Sequence, residues 1–410
     1  MTVDQRQWTL KELALAGELE FGDGYRTKRS EMGPSGFPIL RVAEVLDGKI
    51  APAYSEFIRP EFRTSMKHKV SHPGDIVLTT KGTVGRVAVI PKGSVEFSYS
   101  PQVCYFRITG KNKIISRYLY YWFRSDSFRV QAARLKGQTD MADYLNLADI
   151  GSLKVTLPDL LSQQAIAEVL GALDDKIAAN ERTADTALSL AEALYMRDSA
   201  SGHGWYEVAL ADTAQWRSGG TPKTNEPSYW DGDIPWISAA SLKSPWLDDS
   251  ERKVTQLGAK NGTRLVPAGT IIFVVRGMSL TTEFRVGLTQ REVAFGQDCK
   301  ALVPHPQVDP VVLLLALRSR TREILGLVDT AGHGTGRLGT DLIEKLRVRL
   351  PEGATGVAFA ETVRSLAQQA SIMQRENRTL ADLRNTLLPQ LITGKIRVKD
   401  AKRIVKGGAS

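Results

Sequence analysis

The sequence holds little of what metal centres and disulfide frameworks need. Its 410 residues include two cysteines and five histidines, without the close Cys and His spacing of a structural zinc site. A cysteine-rich secreted domain is excluded as well. Cys104 and Cys299 each lie two residues after a glutamine, Gln102 and Gln297, in segments that read as core strands. We therefore expect two buried free thiols and no disulfide.

Long hydrophobic runs are also missing. The richest apolar stretch runs from Val311 to Leu317 and stops at Arg318, far short of the roughly 20 residues that cross a bilayer as a helix. The N-terminus has no basic segment followed by an apolar one, which a signal peptide would require. The sequence therefore predicts a cytoplasmic protein with no membrane contact.

Motifs of nucleotide-driven and covalent chemistry are absent. Each Gly-Lys pair is followed by Ile or Asn, whereas a phosphate-binding P-loop needs Ser or Thr there. No Gly-x-Ser-x-Gly elbow occurs, nor the Asn- or Asp-Pro-Pro-aromatic segment with which amino-methyltransferases hold a target base. We expect a non-catalytic chain without a cofactor or metal of its own.

One enzymatic alternative stays open. Asp231 and Asp233 precede Glu251 and Lys253, and an acid followed by Glu-x-Lys is the skeleton of many magnesium-dependent nucleases. The carboxylates would hold the metal and the lysine would assist the attacking water. This loose pattern has no counterpart in the first half of the chain.

Charge favours a polyanionic partner. Lysine and arginine number 54 against 45 acidic residues, giving a net charge of +9 and a pI near 9.4. Such a balance is consistent with nucleic acid binding.

The chain repeats itself. The matches begin with Trp8, Leu13 and Ile39 against Trp205, Leu210 and Trp236, at an offset of 197 residues. They continue with Gly74, Gln102 and Cys104 against Gly269, Gln297 and Cys299, at an offset of 195. They end with Leu145, Ile150 and Leu157 against Leu338, Ile343 and Leu350, at an offset of 193. Order preserved over this length indicates a tandem duplication.

Each half ends in a helix with a heptad seam. The first seam includes Ile166, Leu170, Leu173, Ile177 and Asn180, and the second includes Phe359, Val363, Leu366, Met373, Asn377, Leu380 and Leu387. Steps of four and three with polar flanks are typical of a coiled coil; Arg384 is the one misfit. We expect the helices to pair antiparallel, with Asn180 near Met373 and Asn377, although packing of each helix on a head is the alternative.

These patterns predict an α+β protein, in which two mixed α/β heads related by the repeat are joined by two long helices that form an antiparallel coiled coil. The predicted segments are a first head (1–157), a first spacer helix (158–198), a linker (199–204), a second head (205–350), a second spacer helix with a C-terminal motif (351–396) and a basic flexible tail (397–410).

Paired loops are the candidate nucleic-acid contacts. Lys81 and Arg276 each precede a glycine at a strand end, where a cationic side chain can reach a phosphate or a guanine. Amide side chains are the usual readers of adenine. The candidates in these and the following loops are Thr80, Lys81, Arg86, Tyr99, Gln102, Lys136 and Gln138 in the first half, and Arg217, Lys223, Arg276, Ser279, Arg285, Gln297, His333 and Arg337 in the second. Solvated turns joining strands are the alternative interpretation.

Several segments resemble the specificity subunits of type I restriction-modification systems. They include Ser218 to Ile237 (SGGTPKTNEPSYWDGDIPWI), Val274 to Leu280, Gly296 to Leu302, Gly332 to Leu338 and Ile166 to Ile177. Leu383 to Ile396 (LRNTLLPQLITGKI) is the most specific of them. The resemblance covers nearly the whole chain.

The resemblance implies that each head is a target-recognition domain for one half of a bipartite site in double-stranded DNA. The helices would be the spacer and the docking surface for two methyltransferase subunits, which carry S-adenosylmethionine and methylate adenine. A separate restriction subunit, a motor-nuclease using ATP and Mg, would cut unmodified DNA. A coiled-coil scaffold that reads no DNA is the second class of function that the sequence leaves open.

Overall fold

The computed structural model describes residues 6–135, 137–138, 143–331 and 334–407. It divides the chain into two compact units, Met1–Ile177 with Thr379–Ser410, and Ala178–Arg378. Each unit therefore contains one head and a segment of both long helices.

In the described part of its first half, the chain forms twelve strands and five α-helices. The strands are β1 (Arg6–Thr9), β2 (Leu19–Asp23), β3 (Met32–Gly33), β4 (Phe37–Leu40), β5 (Phe57–Ile58), β6 (Ile76–Thr79), β7 (Val87–Val89), β8 (Ser98–Tyr99), β9 (Val103–Ile108), β10 (Gly137–Gln138), β11 (Asp143–Tyr144) and β12 (Lys154–Leu157). The helices are α1 (Leu10–Leu15), α2 (Ser116–Phe123), α3 (Asp126–Leu135), α4 (Leu147–Ser152) and α5 (Leu160–Ser201). Short 3-10 helices span Arg29–Glu31, Val42–Glu44 and Pro60–Met66.

The first head is built on a four-stranded antiparallel sheet of order β2-β9-β6-β7. Alternation along its strands sends Leu78 and Phe106 into one core and Val77 and Tyr105 into another, as the two-residue period of a strand requires. The helix α2 ends at Phe123, and α3 begins at Asp126. The aromatic residues of α2 are buried and belong to the core of this head.

The residues that the structure describes in the second half form fourteen strands and six α-helices. The strands are β13 (Trp205–Ala209), β14 (Ala214–Ser218), β15 (Trp230–Ile237), β16 (Trp246–Leu247), β17 (Lys253–Val254), β18 (Leu265–Val266), β19 (Ile271–Val274), β20 (Arg276–Gly277), β21 (Val286–Thr289), β22 (Val293–Phe295), β23 (Cys299–Pro304), β24 (Val328–Ala331), β25 (Thr335–Leu338) and β26 (Arg347–Pro351). The helices are α6 (Gln256–Lys260), α7 (Pro310–Ser319), α8 (Thr321–Gly326), α9 (Thr340–Ile343), α10 (Gly353–Ile392) and α11 (Val398–Gly407). The 3-10 helices are Leu210–Thr213, Pro227–Tyr229 and Met278–Thr281.

The second head repeats the topology of the first. Its main sheet has the order β14-β23-β19-β21-β16, so its first four strands correspond to β2-β9-β6-β7. The parallel pair β4-β8 recurs as β15-β22, and the antiparallel pair β1-β12 recurs as β13-β26. Gly74 and Gly269 have φ of +89° and +83°, which glycine adopts without strain. The internal duplication is therefore confirmed in three dimensions.

Strand pairing corrects the alignment of the repeats at two places. Thr9 opposes Lys154 and Ala209 opposes Arg347, so the N-terminal offset is 200 residues and Trp8 does not correspond to Trp205. In the main sheets, Leu78 pairs with Cys104, whereas its counterpart Phe273 pairs with Lys300. The two cysteines are therefore one residue out of register, and they lie on opposite faces of their sheets.

The long helices pair antiparallel, as predicted. In the second unit, Asn180 Nδ2 donates to Glu376 Oε2 at 2.7 Å, while further along Tyr195 meets the ring of Phe359. In the first unit, Leu170 and Leu173 share a core with Leu387. Among the predicted seam residues, Ile166, Leu170, Leu173, Asn180, Phe359, Val363 and Leu387 are buried, and Ile177, Leu366, Met373, Asn377 and Leu380 are partly buried.

The C-terminal region contains a proline inside a helix and a helix in place of the predicted flexible tail. Pro389 lies within α10, which continues to Ile392. Proline removes one hydrogen bond, but burial of Leu388 and Leu391 on either side holds this turn in the first core. Within the predicted flexible tail, Val398–Gly407 instead form α11, whose Ala401 is fully buried and whose Val398 and Val405 pack on that same core.

Across the described ranges, none of the helices combines the length and the apolar character that crossing a membrane requires.

Candidate nucleic-acid interface

The loop that follows the central strand of each sheet is held by the same backbone pairing. In the first head Lys81 bridges Tyr144, and Leu145 N donates to Thr80 O at 2.9 Å. In the second head Arg276 pairs with Arg337, and Leu338 N donates to Val275 O at 2.9 Å. The repeat therefore places two distant loops side by side in each head, with the basic residue of the first loop exposed.

In the first head these loops border an open cleft of about 430 Å³. Arg26, Lys81, Gln102 and Tyr144 line it together with Asp23. Lys81 and Gln102 are exposed. A cation, an amide and an aromatic side chain thus converge on one concave surface, a combination that can neutralise phosphate and hydrogen-bond to base edges.

In the second head the corresponding cluster is built around Arg276. Its backbone N lies 3.3 Å from Asp298 O, which fixes the loop against the chain reversal before β23. The neighbouring Gln297 is exposed and its Oε1 accepts a hydrogen bond from Thr221 Oγ1. Arg337 is exposed across the strand pair. Two arginines and one amide therefore share this surface.

Beside each cluster, a glycine lets two backbone segments pack closely together. A Cβ at Gly24 would overlap the carbonyl oxygens of Tyr99 and Ser100, and a Cβ at Gly219 would overlap those of Phe295 and Gly296. The residue after each glycine donates to the same strand, from Tyr25 N to Tyr99 O and from Gly220 N to Phe295 O. Gly24 therefore takes the place of Gly219, although the first head lacks the Gly-Gly-Thr-Pro sequence.

The sequence matches the family described as the type I restriction modification DNA specificity domain, over residues 17–187 and again over 202–381. Both matched regions carry the loop pairing described above. The chain belongs to this specificity family.

Relatives within the specificity family share modest identity with the chain. The EcoR124I/EcoR124II specificity subunit of Escherichia coli is 26% identical over 252 residues, which cover 58% of this chain and 60% of that protein, less than two thirds of its length. The MjaIX specificity subunit of Methanocaldococcus jannaschii is 22% identical across 96% of this chain and 95% of that protein. The crystal structure of a type I restriction-modification S subunit from M. genitalium shares the fold, with a TM-score of 0.60 at 16% identity, covering 95% of this chain and 96% of that one.

Two predicted contacts of this specificity-family chain are corrected by burial. Tyr99 is fully buried, and its hydroxyl donates to Asp75 Oδ2 at 2.6 Å; burial and the charge of Asp75 raise the pKa of Tyr99. Thr80 is buried and donates to Gln102 O. Arg285 is paired with Glu283 at 2.8 Å. Tyr99 and Thr80 therefore support the loops from inside, whereas the DNA contact of Arg285 stays a prediction.

The remaining predicted DNA contacts lie in different parts of the two heads. Arg86 and Ser279 are half-buried in the loops of Lys81 and Arg276, and Lys223 is exposed beyond Thr221. Arg217 lies on β14 and lines a different cleft. Lys136 and His333 lie outside the described residues, as does the side chain of Gln138.

Sequence reasoning missed two residues of the first cleft. Arg26 has a side chain that is 84% exposed, with only a 3.9 Å ion pair to Asp23. Tyr144 precedes Leu145, so the offset of 193 that matched Leu145 to Leu338 also matches Tyr144 to Arg337. That offset was a sufficient signal for Tyr144.

The alternative nuclease site is not supported. Among the residues that the structure describes, no group of three acidic, His or Cys side chains is placed to hold a metal ion. Lys253 Nζ is paired with Asp249 at 3.2 Å, and Asp233 and Glu251 are exposed. The specificity family therefore gives the better account of the chain.

Proposed function

We propose that this chain is the sequence-specific, non-catalytic DNA-binding subunit of a type I restriction-modification complex, in which each head reads one half of a bipartite target. The observation that carries the proposal is the repeated loop pairing, Lys81 with Tyr144 and Arg276 with Arg337. A scaffold that reads no DNA has no need for exposed cations at matching places in two heads.

The helices α5 and α10 are the proposed spacer and docking surface. Their seam residues are buried or partly buried where the helices pair, so we assign them to the spacer and not to the partner-facing surface. Leu161 and Met196 on α5 and Val357 on α10 are more than half exposed. Exposed apolar side chains of this size favour a protein partner, and two methyltransferase subunits are the partners we infer.

The length of the helices fits a gapped target. A paired region of some 35 residues, at a rise of about 1.5 Å per residue, is on the order of 50 Å long. That equals the rise of roughly 15 base pairs at about 3.4 Å each. A single subunit can therefore address two partial sites that are separated by unread bases.

Chemistry belongs to the partners in this proposal. S-adenosylmethionine would be bound by the methyltransferase subunits, while ATP and Mg would be used by the restriction subunits. This chain contributes recognition, which predicts that the partner methyltransferase has no target preference without it.

The test is a single-molecule map of methylated adenines in cells that express the partner methyltransferase, with and without this gene. We expect a two-part motif with an unspecified gap, methylated only when the gene is present. An unchanged map, with the methyltransferase shown to be expressed and active, would sink the proposal in favour of a scaffold.

A further inference from the structure

A second concave surface in the second head is lined by cations. It is a cleft of about 550 Å³ between β14 and the segment that joins α6 to β18. Arg217 lies on its strand side, and Lys260 and Arg264 lie on the opposite side. The rest of the lining is apolar or carries neutral polar groups, and none of the lining residues is acidic.

These cations are not neutralised by the fold. Arg217 Nη2 donates to Gln215 Oε1 at 2.7 Å, which is a neutral acceptor. Lys260 and Arg264 are exposed. Within the described ranges none of the three forms an ion pair with a carboxylate, whereas many other arginines of the chain do, for example Arg347 with Glu207 at 3.1 Å. The cleft therefore carries a local positive charge that the folded chain leaves uncompensated.

In the first head, the cation that corresponds to Arg264 is neutralised by a carboxylate. Val70 bridges Ser98 where Leu265 pairs with Ala294, so Lys69 is the counterpart of Arg264. Lys69 Nζ is bound to Asp23 Oδ1 at 2.8 Å and lies 3.1 Å from Gly24 O. The counterpart of Asp23 is Ser218, because Asp23 pairs with Cys104 and Ser218 pairs with Lys300. Replacement of this aspartate by serine removes the carboxylate from the second head alone.

The cleft adjoins the candidate interface through a single loop. Thr221 contacts Gln297 on the interface side, while Gly220 and Pro222 pack against the backbone of Gly262 on the cleft side. Thr263 Oγ1 donates to Phe295 O at 2.7 Å, which ties the cleft segment to the strand beneath that loop. The candidate interface and the cleft therefore lie on the two sides of one loop.

We propose that Arg217, Lys260 and Arg264 bind the phosphodiester backbone of the DNA next to the half-site that the second head reads. The inference rests on the proposed function, and it assigns to this cleft a contact that supplies affinity without base selection. Uncompensated cations in a groove are what phosphate contacts require, and such contacts position a protein without reading sequence. The first head makes no equivalent contact at Lys69.

The experiment measures DNA affinity of the complex of this chain with its methyltransferase, by fluorescence anisotropy over a series of salt concentrations. The probes are a duplex that carries the mapped motif and a scrambled duplex of equal length. The variants are Lys260→Ala, Arg264→Ala and the double variant. Arg347→Ala is the matched control, because it removes the same formal charge from the same unit at a cation paired with Glu207.

We expect each single variant to lower the affinity for both duplexes by a similar several-fold factor. Each should also reduce the magnitude of the slope of log affinity against log salt concentration by about 0.9. The methylated motif should stay unchanged, and Arg347→Ala should have no such effect. Unaltered affinity and slope, an altered motif, or an equal loss in the control would each overturn the inference. Failure of the wild-type complex to prefer the mapped motif would instead overturn the proposed function, and this is measured first.

Discussion

Arg384, the one residue that breaks the predicted heptad seam, forms an ion pair with Asp174 at 2.7 Å inside the first unit. The same carboxylate accepts a hydrogen bond from the Tyr121 hydroxyl and lies 3.3 Å from Arg124 Nη1. The repeat offset of 193 relates Asp174 to Ala367 and Arg384 to Ala191, and both alanines are buried in one core of the second unit. The two units therefore use a charged pair and an alanine pair at equivalent places.

This substitution pattern makes the stability of the first unit testable. Arg384→Ala removes one charged hydrogen bond and should cost about 1.5–3 kcal/mol. Asp174→Ala leaves two arginines and a tyrosine without their shared acceptor and should cost more, about 3–5 kcal/mol. The free energy of unfolding from denaturant titration of the complete chain measures both.

The double variant is the informative control. It recreates the alanine pair of the second unit, so its cost should be clearly smaller than the sum of the single costs. Additive costs would show that Asp174 and Arg384 are not energetically coupled and would contradict the assignment.

Strong local patterns were enough to predict most of the architecture. The seam of α10 keeps one periodicity over the 29 residues from Phe359 to Leu387, and the duplication supplied the equivalence of Gly74 with Gly269. Strand register was not predictable, because a slip of one residue moves each side chain to the other face. The repeated Gln-x-Cys motif suggested that Cys104 and Cys299 occupy equivalent positions. The strand pairing shows that they do not, because Leu78 pairs with Cys104 whereas its counterpart Phe273 pairs with Lys300.

Tertiary packing decided the other differences. Nothing in the local sequence distinguishes an exposed tyrosine from Tyr99, whose burial depends on an aspartate 24 residues earlier in the chain, Asp75. Pro389 reads as a helix end until the core around Leu388 is known. Lys69 and Arg264 are both cations in sequence, and only the strand pairing shows that one has a carboxylate and the other does not.

Lys81 and Arg276 should each affect one half of the target. Because the two cations occupy equivalent loops in separate heads, Lys81→Ala should relax or lose one half of the methylated motif and Arg276→Ala the other. A lost bidentate base contact costs about 1–3 kcal/mol of discrimination. The adenine-methylation map of cells carrying each variant measures this.

Loss of both half-motifs from a single variant would point to misfolding or failed assembly instead of readout. Co-purification of the partner methyltransferase with each variant separates these cases. A map identical to wild type for both variants would remove these two loops from the interface.

Gly219 should tolerate no side chain. A Cβ there would overlap the backbone carbonyls of Phe295 and Gly296, so Gly219→Ala must displace the loop that carries Thr221. We expect a loss of about 1–3 kcal/mol of stability together with weaker readout by the second head. Gly326→Ala is the control, because no atom lies within 4 Å of its Cβ position; it should be neutral or stabilise by about 0.4–1 kcal/mol. Equal behaviour of the two variants would refute the role of Gly219.

The reaction rates of the two thiols should report local unfolding of each head separately. Burial raises the pKa of the Cys104 thiol, and burial with the nearby charge of Asp298 raises the pKa of the Cys299 thiol to about 12. At pH 8 a thiol with that pKa is about one part in ten thousand thiolate. The thiols of the native protein should therefore react with a disulfide reagent only slowly. In the denatured protein, two thiols per chain should react at once.

Cys104 and Cys299 belong to different units. A substitution that loosens one head should therefore raise the labelling rate of the thiol in that head only. Gly219→Ala is expected to raise the labelling rate of Cys299 and leave that of Cys104 unchanged, as read by mass spectrometry of the labelled peptides. Rapid labelling of either thiol in the native wild-type chain would show that its strand is accessible to solvent. That result would contradict the burial of Cys104 in β9 and of Cys299 in β23.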